Sequence, residues 1–211
     1  DSISKEKSKY KISININKSK KIFYSNSFFE NDLKNLLASI TIISIFKDIH
    51  KIDKNFFYNH KVATGRGDIV KLRIFKKFVY LVDESYNSNP LSLKSALKNF
   101  EMIKVNNSKK HLVLGDMLEL GKYSKKLHTE IGKSINQTSL KNVNVIGKQV
   151  KWVFNSLNKN KRGIVIKKKS QIIDLIKNNL DNNDYLMIKG SNSTGLNNLT
   201  NQIKTGKINA L

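Results

Sequence analysis

The alternation of strand-like and helix-like segments in the later part of the chain restricts its fold more than any other feature. Apolar runs typical of β-strands lie at residues 69–75, 78–82, 111–114, 143–146, 163–166 and 185–188. Between the later runs, apolar residues recur at the three- and four-residue spacing of helices. Crossovers of about thirty residues or fewer join parallel strands through helices. The pattern therefore predicts an α/β, Rossmann-like domain with a mostly parallel sheet covered on both faces.

The first part of the chain predicts a different arrangement. Residues 10–30 alternate loosely between apolar and polar side chains, which indicates a strand or hairpin. Residues 32–48 carry closely spaced Leu and Ile, which predicts a largely buried helix. The Gly-rich residues 64–68 are typical of a flexible boundary, so we expect domains at 1–64 and 65–211.

Helix starts are also predicted from local sequence. Asn89 followed by Pro90 is a typical N-cap and first-turn pair. Ser124, Ser170 and Thr194 are predicted to cap three later helices.

The charge of the chain is large but widely spread. There are 39 Lys and Arg against 16 Asp and Glu, which gives a net charge of +23. Such a charge is compatible with nucleic-acid binding. Lys is distributed along the whole chain beside abundant Asn and Ile, as AT-rich codons would give. We favour solvated lysines over a nucleic-acid partner by about three to one, because Arg is the residue expected at phosphate and base forks.

Composition also bears on location. The chain has no Cys, which fits a reducing compartment. No window is apolar over the roughly 18 residues that span a bilayer, so we expect a cytoplasmic protein without a membrane partner. The chain opens on Asp1 without Met or a leader, and we expect an internal piece of a longer polypeptide.

Ligands of open α/β sheets bind beyond the carboxyl ends of the strands, where this sequence is polar. Asp83 and Glu84 are adjacent, so only one can face the crevice and no paired acid and base is predicted. One carboxylate there suits sugar hydroxyls. Asn87 and Asn89 either flank a bound ring or phosphate, or form only a turn and a cap, with equal weight.

Two further segments carry candidate binding groups. Lys189, Gly190 and Ser191 combine a cation, close backbone approach and a hydroxyl, which suits a carboxylate or phosphate. Arg66 lies between two glycines, so it either contacts a phosphate or belongs to a mobile linker. Before any family is considered, we favour the linker. No metal spacing of His and no phosphate-binding Gly-rich loop occurs, so no catalytic or metal residue is assigned.

Three strings resemble the Mur ligase family. They are Glu-Ser-Tyr-Asn-Ser-Asn-Pro at 84–90, Gly-Asp-Met-Leu-Glu-Leu-Gly at 115–121 with His128 downstream, and Ile-Lys-Gly-Ser at 188–191. The similarity covers about residues 30–205 and implies the tail of a central ATPase domain before a C-terminal Rossmann-like domain. The second string separates the member that adds D-alanyl-D-alanine from its relatives.

The resemblance implies an ATP-dependent amide ligase of peptidoglycan precursor synthesis. Its substrates would be UDP-N-acetylmuramoyl-tripeptide and D-alanyl-D-alanine, joined through an acyl phosphate, with ATP and Mg²⁺ as cofactors. The phosphate loop, metal ligands and modified Lys of the family would lie upstream of Asp1, so this piece would be inactive alone.

Roles carry over by position. Asn35 would contact adenine, Arg66 the phosphates and Glu84 the ribose, while Asn87, Asn89 and Pro90 would border the nucleotide. Lys189, Gly190 and Ser191 would receive the dipeptide. The family usually has Ala after the residue that matches Asn87, where this chain has Ser88. The family commonly has Arg after Lys-Gly-Ser, where this chain has Asn192. The second difference weakens the dipeptide role of the loop at residues 189–191.

Two alternatives stay open. One is another ligase of the family, adding a different amino acid or extending folate with glutamate. The other is a non-catalytic basic α/β domain that binds nucleic acid.

Overall fold

The structure is a computed structural model that describes residues 2–6, 9–16, 18–26, 30–58, 63–106 and 109–207. The chain divides into two compact units, Asp1–Val62 and Ala63–Leu211. Each unit has its own apolar core.

The first unit is a small sheet with one long helix. Its described strands are β1 (Ser2–Glu6), β2 (Lys9–Ile16) and β3 (Ser19–Ser25), which pair in order and antiparallel. Helix α1 (Glu30–Phe46) follows. The predicted strand or hairpin and the predicted helix are therefore both present. Sheet and helix share a core of buried residues, namely Ile12, Ile14, Phe23, Leu36, Ile40, Ile49 and Phe57.

Helix α1 is less buried than predicted. Leu36 and Ile40 are buried, but Ile42, Ile45 and Phe46 on the same helix are exposed. The prediction of a largely buried helix is wrong for this chain, because the small sheet covers only one side of α1.

The second unit contains the predicted alternation of strands and helices. Its strands are β4 (Asp68–Ile74), β5 (Lys77–Glu84), β6 (Lys110–Gly115), β7 (Val143–Ile146), β8 (Arg162–Ile166) and β9 (Asp184–Lys189). Its helices are α2 (Pro90–Met102), α3 (Ser124–Asn136), α4 (Lys151–Ser156), α5 (Ser170–Asn179) and α6 (Leu196–Lys204).

The described strands of this unit form one sheet in the order β4-β5-β9-β6-β7-β8. β4 and β5 are an antiparallel hairpin, and every later pairing is parallel. Successive crossovers run from β5 to β6, β7 and β8, and the last one returns to place β9 between β5 and β6. The predicted α/β fold with a mostly parallel sheet is confirmed.

Both faces of the sheet are covered, as the apolar runs of the strands require. Neighbouring strand residues point to opposite faces. Leu112, Leu114 and Met187 join one core with residues of α2, α3 and α4. Val113 and Ile188 join the other core with residues of α5 and α6.

Helix starts follow the prediction at one site. The Asn89 side chain accepts from the Ser92 N–H at 2.8 Å, and the Ser92 hydroxyl accepts from the Asn89 N–H, which forms a capping box before Pro90. Ser124 and Ser170 are not N-caps, because each already lies inside the first helical turn. Gly195, rather than Thr194, precedes α6.

Several basic side chains donate hydrogen bonds to backbone carbonyls at or just after the C-terminal ends of helices. Lys77 donates to the carbonyls of Lys177 and Leu180 at the end of α5. Lys110 donates to the backbone carbonyl of Glu101 in the last turn of α2. Lys161 donates to the backbone carbonyls of Thr138 and Leu140 after α3. Arg162 donates to the backbone carbonyls of Asn155 and Leu157 at the end of α4. Helix ends leave carbonyls without intrahelical partners, and cations there are favoured by the helix dipole. Part of the positive charge therefore stabilises the fold.

No helix within the described residues is both long enough and apolar enough to span a bilayer.

We expect Lys77→Met to lower the free energy of unfolding of the second unit by about 1 kcal/mol, because two helix-end carbonyls lose their charged donor. Lys94→Met, on the exposed side of α2, is the matched control and should change it little. Urea unfolding followed by the fluorescence of Trp152, the single Trp of the chain, measures both. Equal effects of the two substitutions would contradict a capping role for Lys77.

Candidate functional site

An ion pair between β5 and β9 lies at the centre of the predicted site. Glu84 and Lys189 are direct neighbours in the parallel register of these strands. The Lys189 Nζ lies 3.3 Å from the Glu84 Oε2 and donates to the Asn87 carbonyl at 3.0 Å. The Lys189 side chain is 2% exposed and that of Glu84 is 17% exposed. The Lys189 ammonium is therefore almost fully enclosed by its protein partners.

The electrostatics of this pair depend on its burial. Burial lowers the pKa of Lys189, the Glu84 carboxylate opposes that shift, and the Arg66 guanidinium adds to it. A buried ammonium needs a partner of opposite charge, and Glu84 supplies it.

Ser191 connects three loops at this edge of the sheet. Its hydroxyl accepts from the Leu118 N–H at 2.8 Å and donates to the Ser88 carbonyl at 3.2 Å. Its backbone N–H donates to the Asp116 carbonyl at 2.9 Å. The loops after β5, β6 and β9 are therefore held together. The strands that contain Val82, Leu114 and Ile188 run side by side in one direction, as a parallel sheet requires.

Gly190 is required by close packing. A Cβ on Gly190 would lie 2.8 Å from the Leu196 Cδ1 and 3.2 Å from the Cα of Gly115. A side chain at Gly190 would push the ends of β6 and β9 apart, so its role in the described structure is to permit their approach.

Arg66 lies on a hydrogen-bonded turn in the Gly-rich stretch for which a flexible boundary is predicted. We call residues 63–68 the Arg66 turn. The Gly67 N–H donates to the Asp83 carbonyl at 2.7 Å, and the Tyr86 N–H donates to the Gly65 carbonyl at 3.0 Å. Gly65 has φ +79, and a Cβ there would lie 2.9 Å from Tyr86. These contacts extend the β4–β5 hairpin and fix the turn.

The Arg66 side chain is directed by an aromatic ring. Its guanidinium carbon lies 4.4 Å from the centroid of the Tyr86 ring, which is a cation–π arrangement. Arg66 is exposed, and Tyr86 is 43% exposed. The cation is therefore accessible to an anion beside Glu84 and Lys189.

The asparagines of the loop after β5 make the turn and the cap of the simpler alternative. The Asn87 Oδ1 accepts from the Ser88 N–H at 2.8 Å, and the Asn89 side chain caps α2 ahead of Pro90. Asn87 and Asn89 are both exposed. Local turn geometry thus places them at the rim.

Asn35 is the one candidate that belongs to the first unit. It lies on α1 in the first unit and its side chain is exposed. Its carbonyl accepts from the Ser39 hydroxyl at 2.9 Å.

A comparison with protein-family models identifies the chain. The model described as "Mur ligase, glutamate ligase domain" matches residues 65–192. The chain belongs to the Mur ligase family. The resemblance inferred from the three strings is confirmed.

Curated relatives agree with this placement. UDP-N-acetylmuramoyl-tripeptide–D-alanyl-D-alanine ligase of Rickettsia prowazekii is 27% identical over 168 residues, which covers 80% of this chain and 35% of that protein. The Bacillus subtilis protein of the same name is 28% identical over 174 residues and is covered to 37%. The chain spans little more than a third of the length of these relatives.

Solved structures share the fold. The MurF ligase of Thermotoga maritima in complex with ADP has a TM-score of 0.75 at 18% identity, covering 97% of this chain and 45% of that one. MurC of the same organism has a TM-score of 0.66 at 12% identity. At these identities the likeness concerns the fold alone.

One Mur ligase string forms a brace that reasoning from single residues did not find. The Asp116 carboxylate accepts from the backbone N–H groups of Lys148, Gln149 and Val150 at 3.1, 2.9 and 2.7 Å, just before α4. A carboxylate at a helix start is favoured by the dipole. Asp116 therefore joins the loop after β6 to the loop after β7, and Gly147 permits this approach, because a Cβ there would overlap the Asp116 carboxylate.

His128 supports the same loop from beneath. The Met117 N–H donates to its Nε2 at 3.1 Å, so the proton is on Nδ1, which donates to the Ser124 carbonyl at 2.8 Å. The side chain is fully buried, and burial lowers the pKa of His128 below its ordinary 6.5. His128 therefore belongs to the packing beneath the loop after β6.

We expect stability to fall as the pH drops below about 6.5, because His128 takes up a proton more readily in the unfolded chain. His111 acts in the same direction, since burial also lowers its pKa despite Asp184 nearby. Titration of ring protons by NMR measures both values, and urea unfolding at several pH values measures the slope. His128→Gln should reduce that slope. A His128 pKa at or above 6.5 would contradict this account.

Proposed function

We propose that this chain is the closing part of an ATP-dependent ligase that adds D-alanyl-D-alanine to UDP-N-acetylmuramoyl-tripeptide. Residues 65–211 would be its C-terminal Rossmann-like domain and residues 1–64 the tail of its central ATPase domain. Curated relatives over most of the chain carry this name, which supports the proposal. The Gly-Asp-Met-Leu-Glu-Leu-Gly string favours it over a family member that adds another amino acid or glutamate.

The observation that carries the proposal is the Glu84–Lys189 ion pair beside Arg66 at the carboxyl edge of the sheet. Ligands of open α/β sheets bind at this edge. An exposed cation, a partly exposed carboxylate and rim amides are the groups that a nucleotide and a small zwitterion require.

In the proposed reaction, ATP supplies the phosphoryl group that activates the tripeptide carboxylate as an acyl phosphate. The amine of D-alanyl-D-alanine attacks that carbonyl, the new C–N bond forms as the C–O bond to the phosphate breaks, and the nitrogen loses a proton as inorganic phosphate leaves. An acyl phosphate is hydrolysed where water has access, so a domain that covers it and aligns the amine favours ligation.

Each candidate site residue has a proposed role. Arg66 contacts the phosphates, and the Glu84 carboxylate accepts hydrogen bonds from the ribose hydroxyls. Asn87, Asn89 and Pro90 border the nucleotide, and Asn35 contacts adenine. The loop that begins at Lys189, with Gly190 and Ser191, receives the dipeptide.

Within the described residues, no group of three or more Asp, Glu and His side chains is placed to hold a metal ion. On the resemblance to the Mur ligase family, we propose that the Mg²⁺ ligands of the reaction belong to the ATPase part of the enzyme. We also propose that the protein acts in the cytoplasm, where its nucleotide substrates are made.

We expect the protein that carries this chain together with the ATPase part to release ADP only when both tripeptide substrate and D-alanyl-D-alanine are present. A coupled assay for ADP with each substrate omitted in turn measures this. ADP release that depends on glutamate instead would favour the other ligases of the family. Steeply salt-dependent RNA binding without nucleotide use would favour the nucleic-acid alternative.

Substitutions should separate the two substrates. We expect Arg66→Ala and Glu84→Gln to raise the KM for ATP about tenfold, and Lys189→Met to raise chiefly the KM for D-alanyl-D-alanine. Because Glu84 and Lys189 form one ion pair, the double variant should be less impaired than the sum of the single ones. Lys94→Met is the control, and unchanged constants in all three single variants would reject these roles.

A further inference from the structure

A second charged cluster lies at the end of the β4–β5 hairpin, and the proposed roles leave it unused. Asp68 and Asp83 are direct neighbours across these antiparallel strands. The Nζ of Lys204, the last residue of α6, lies 2.5 Å from an oxygen of each carboxylate. Asp83 is fully buried, and the Lys204 side chain is 14% exposed.

This arrangement needs its cation. Like charges directly opposite each other on paired strands repel, and a buried carboxylate without a partner is strongly unfavourable. Burial alone would lower the pKa of Lys204, but hydrogen bonds to Asp68 and Asp83 outweigh it and raise the pKa. The ammonium therefore stays charged at neutral pH and holds the two carboxylates together.

Each carboxylate also holds backbone that leads directly into the site. The second oxygen of Asp68 accepts from the Gly65 N–H at 2.8 Å, inside the Arg66 turn. The second oxygen of Asp83 accepts from the N–H and hydroxyl of Ser85 at 3.0 and 2.5 Å. The Ser85 hydroxyl also meets the Thr200 hydroxyl on α6 at 2.9 Å.

The two sides of the hairpin end are connected through the backbone. Asp83 and Glu84 are adjacent and face opposite ways, toward Lys204 and Lys189 respectively. The Asp83 carbonyl accepts from the Gly67 N–H, next to Arg66. A shift of Asp83 would therefore move both Glu84 and the Arg66 turn.

We propose that Lys204 is a positioning residue of the site, which clamps Asp68 to Asp83 and so fixes Arg66 and Glu84 in the geometry that receives the nucleotide. The proposal rests on the proposed function for its ligand, ATP. Lys204 itself touches the site only through the two carboxylates.

The first test concerns the clamp alone and uses this 211-residue chain. We expect Lys204→Met to speed amide hydrogen exchange at Gly65 and Gly67 about tenfold relative to the central strands, because their acceptors become mobile. Lys204→Arg keeps the charge and should restore most of the protection. Lys207→Met, an exposed lysine just beyond α6, is the control. Unchanged exchange in a folded Lys204→Met chain would overturn the clamp.

The second test uses the longer protein with its ATPase part. We expect Lys204→Met to raise the KM for ATP about tenfold and the KM for D-alanyl-D-alanine less, with Lys204→Arg within about threefold of the wild type. A loss of kcat in proportion to lost folded protein, with both KM values unchanged, would show a merely structural role and overturn the proposal.

Two arrangements keep the result interpretable. If Lys204→Met does not fold, Asp68→Asn retains an acceptor for Gly65 while weakening the ion pair, and it should raise the same KM by a smaller factor; an unchanged KM overturns the proposal. If the wild-type longer protein does not use ATP with D-alanyl-D-alanine, the proposed function fails, whereas the exchange experiment still decides the clamp.

Discussion

The parallel pairing of β5 with β9 is the constraint on which the site depends. This register makes Glu84 and Lys189 direct neighbours, and burial of Lys189 makes their ion pair obligatory. The pairing exists because β9, the last strand in sequence, enters the sheet between β5 and β6. A site residue near the start of the domain thus meets its partner 105 positions later.

Sequence reasoning recovered the elements whose causes are local. The strands, the alternating helices and the Asn89 cap follow from periodicity and turn chemistry, and the structure contains them. It also placed Glu84 and Lys189 at one edge, because parallel strands end together. The Lys204 clamp had no such pattern, since Asp68, Asp83 and Lys204 are far apart in sequence and each resembles an ordinary surface charge.

Other features depend on neighbours that the sequence does not show. Residues 64–68 have the composition of a flexible linker, and hydrogen bonds to Asp83 and Tyr86 form the same glycines into a turn. Helix α1 has apolar residues on more than one side, and a small sheet covers only one of them. Composition limits the conformations that a segment can adopt, whereas contacts with neighbouring segments select the one that it adopts. The lysines illustrate the same point, since Lys77, Lys110 and Lys161 stabilise helix ends.

The placement of charge explains how the domain can present a rigid site on loops. Ser191 ties three loops to one another, Asp116 ties the loop after β6 to the start of α4, and Lys204 ties α6 to the hairpin. These contacts lie beneath the rim, so Arg66 and Asn87 stay exposed while their backbones are fixed. A ligand that meets groups already ordered loses less conformational entropy on binding. In the proposed reaction, the same ordering would limit the positions that the acyl phosphate and the amine can take, and that restriction would favour ligation over hydrolysis.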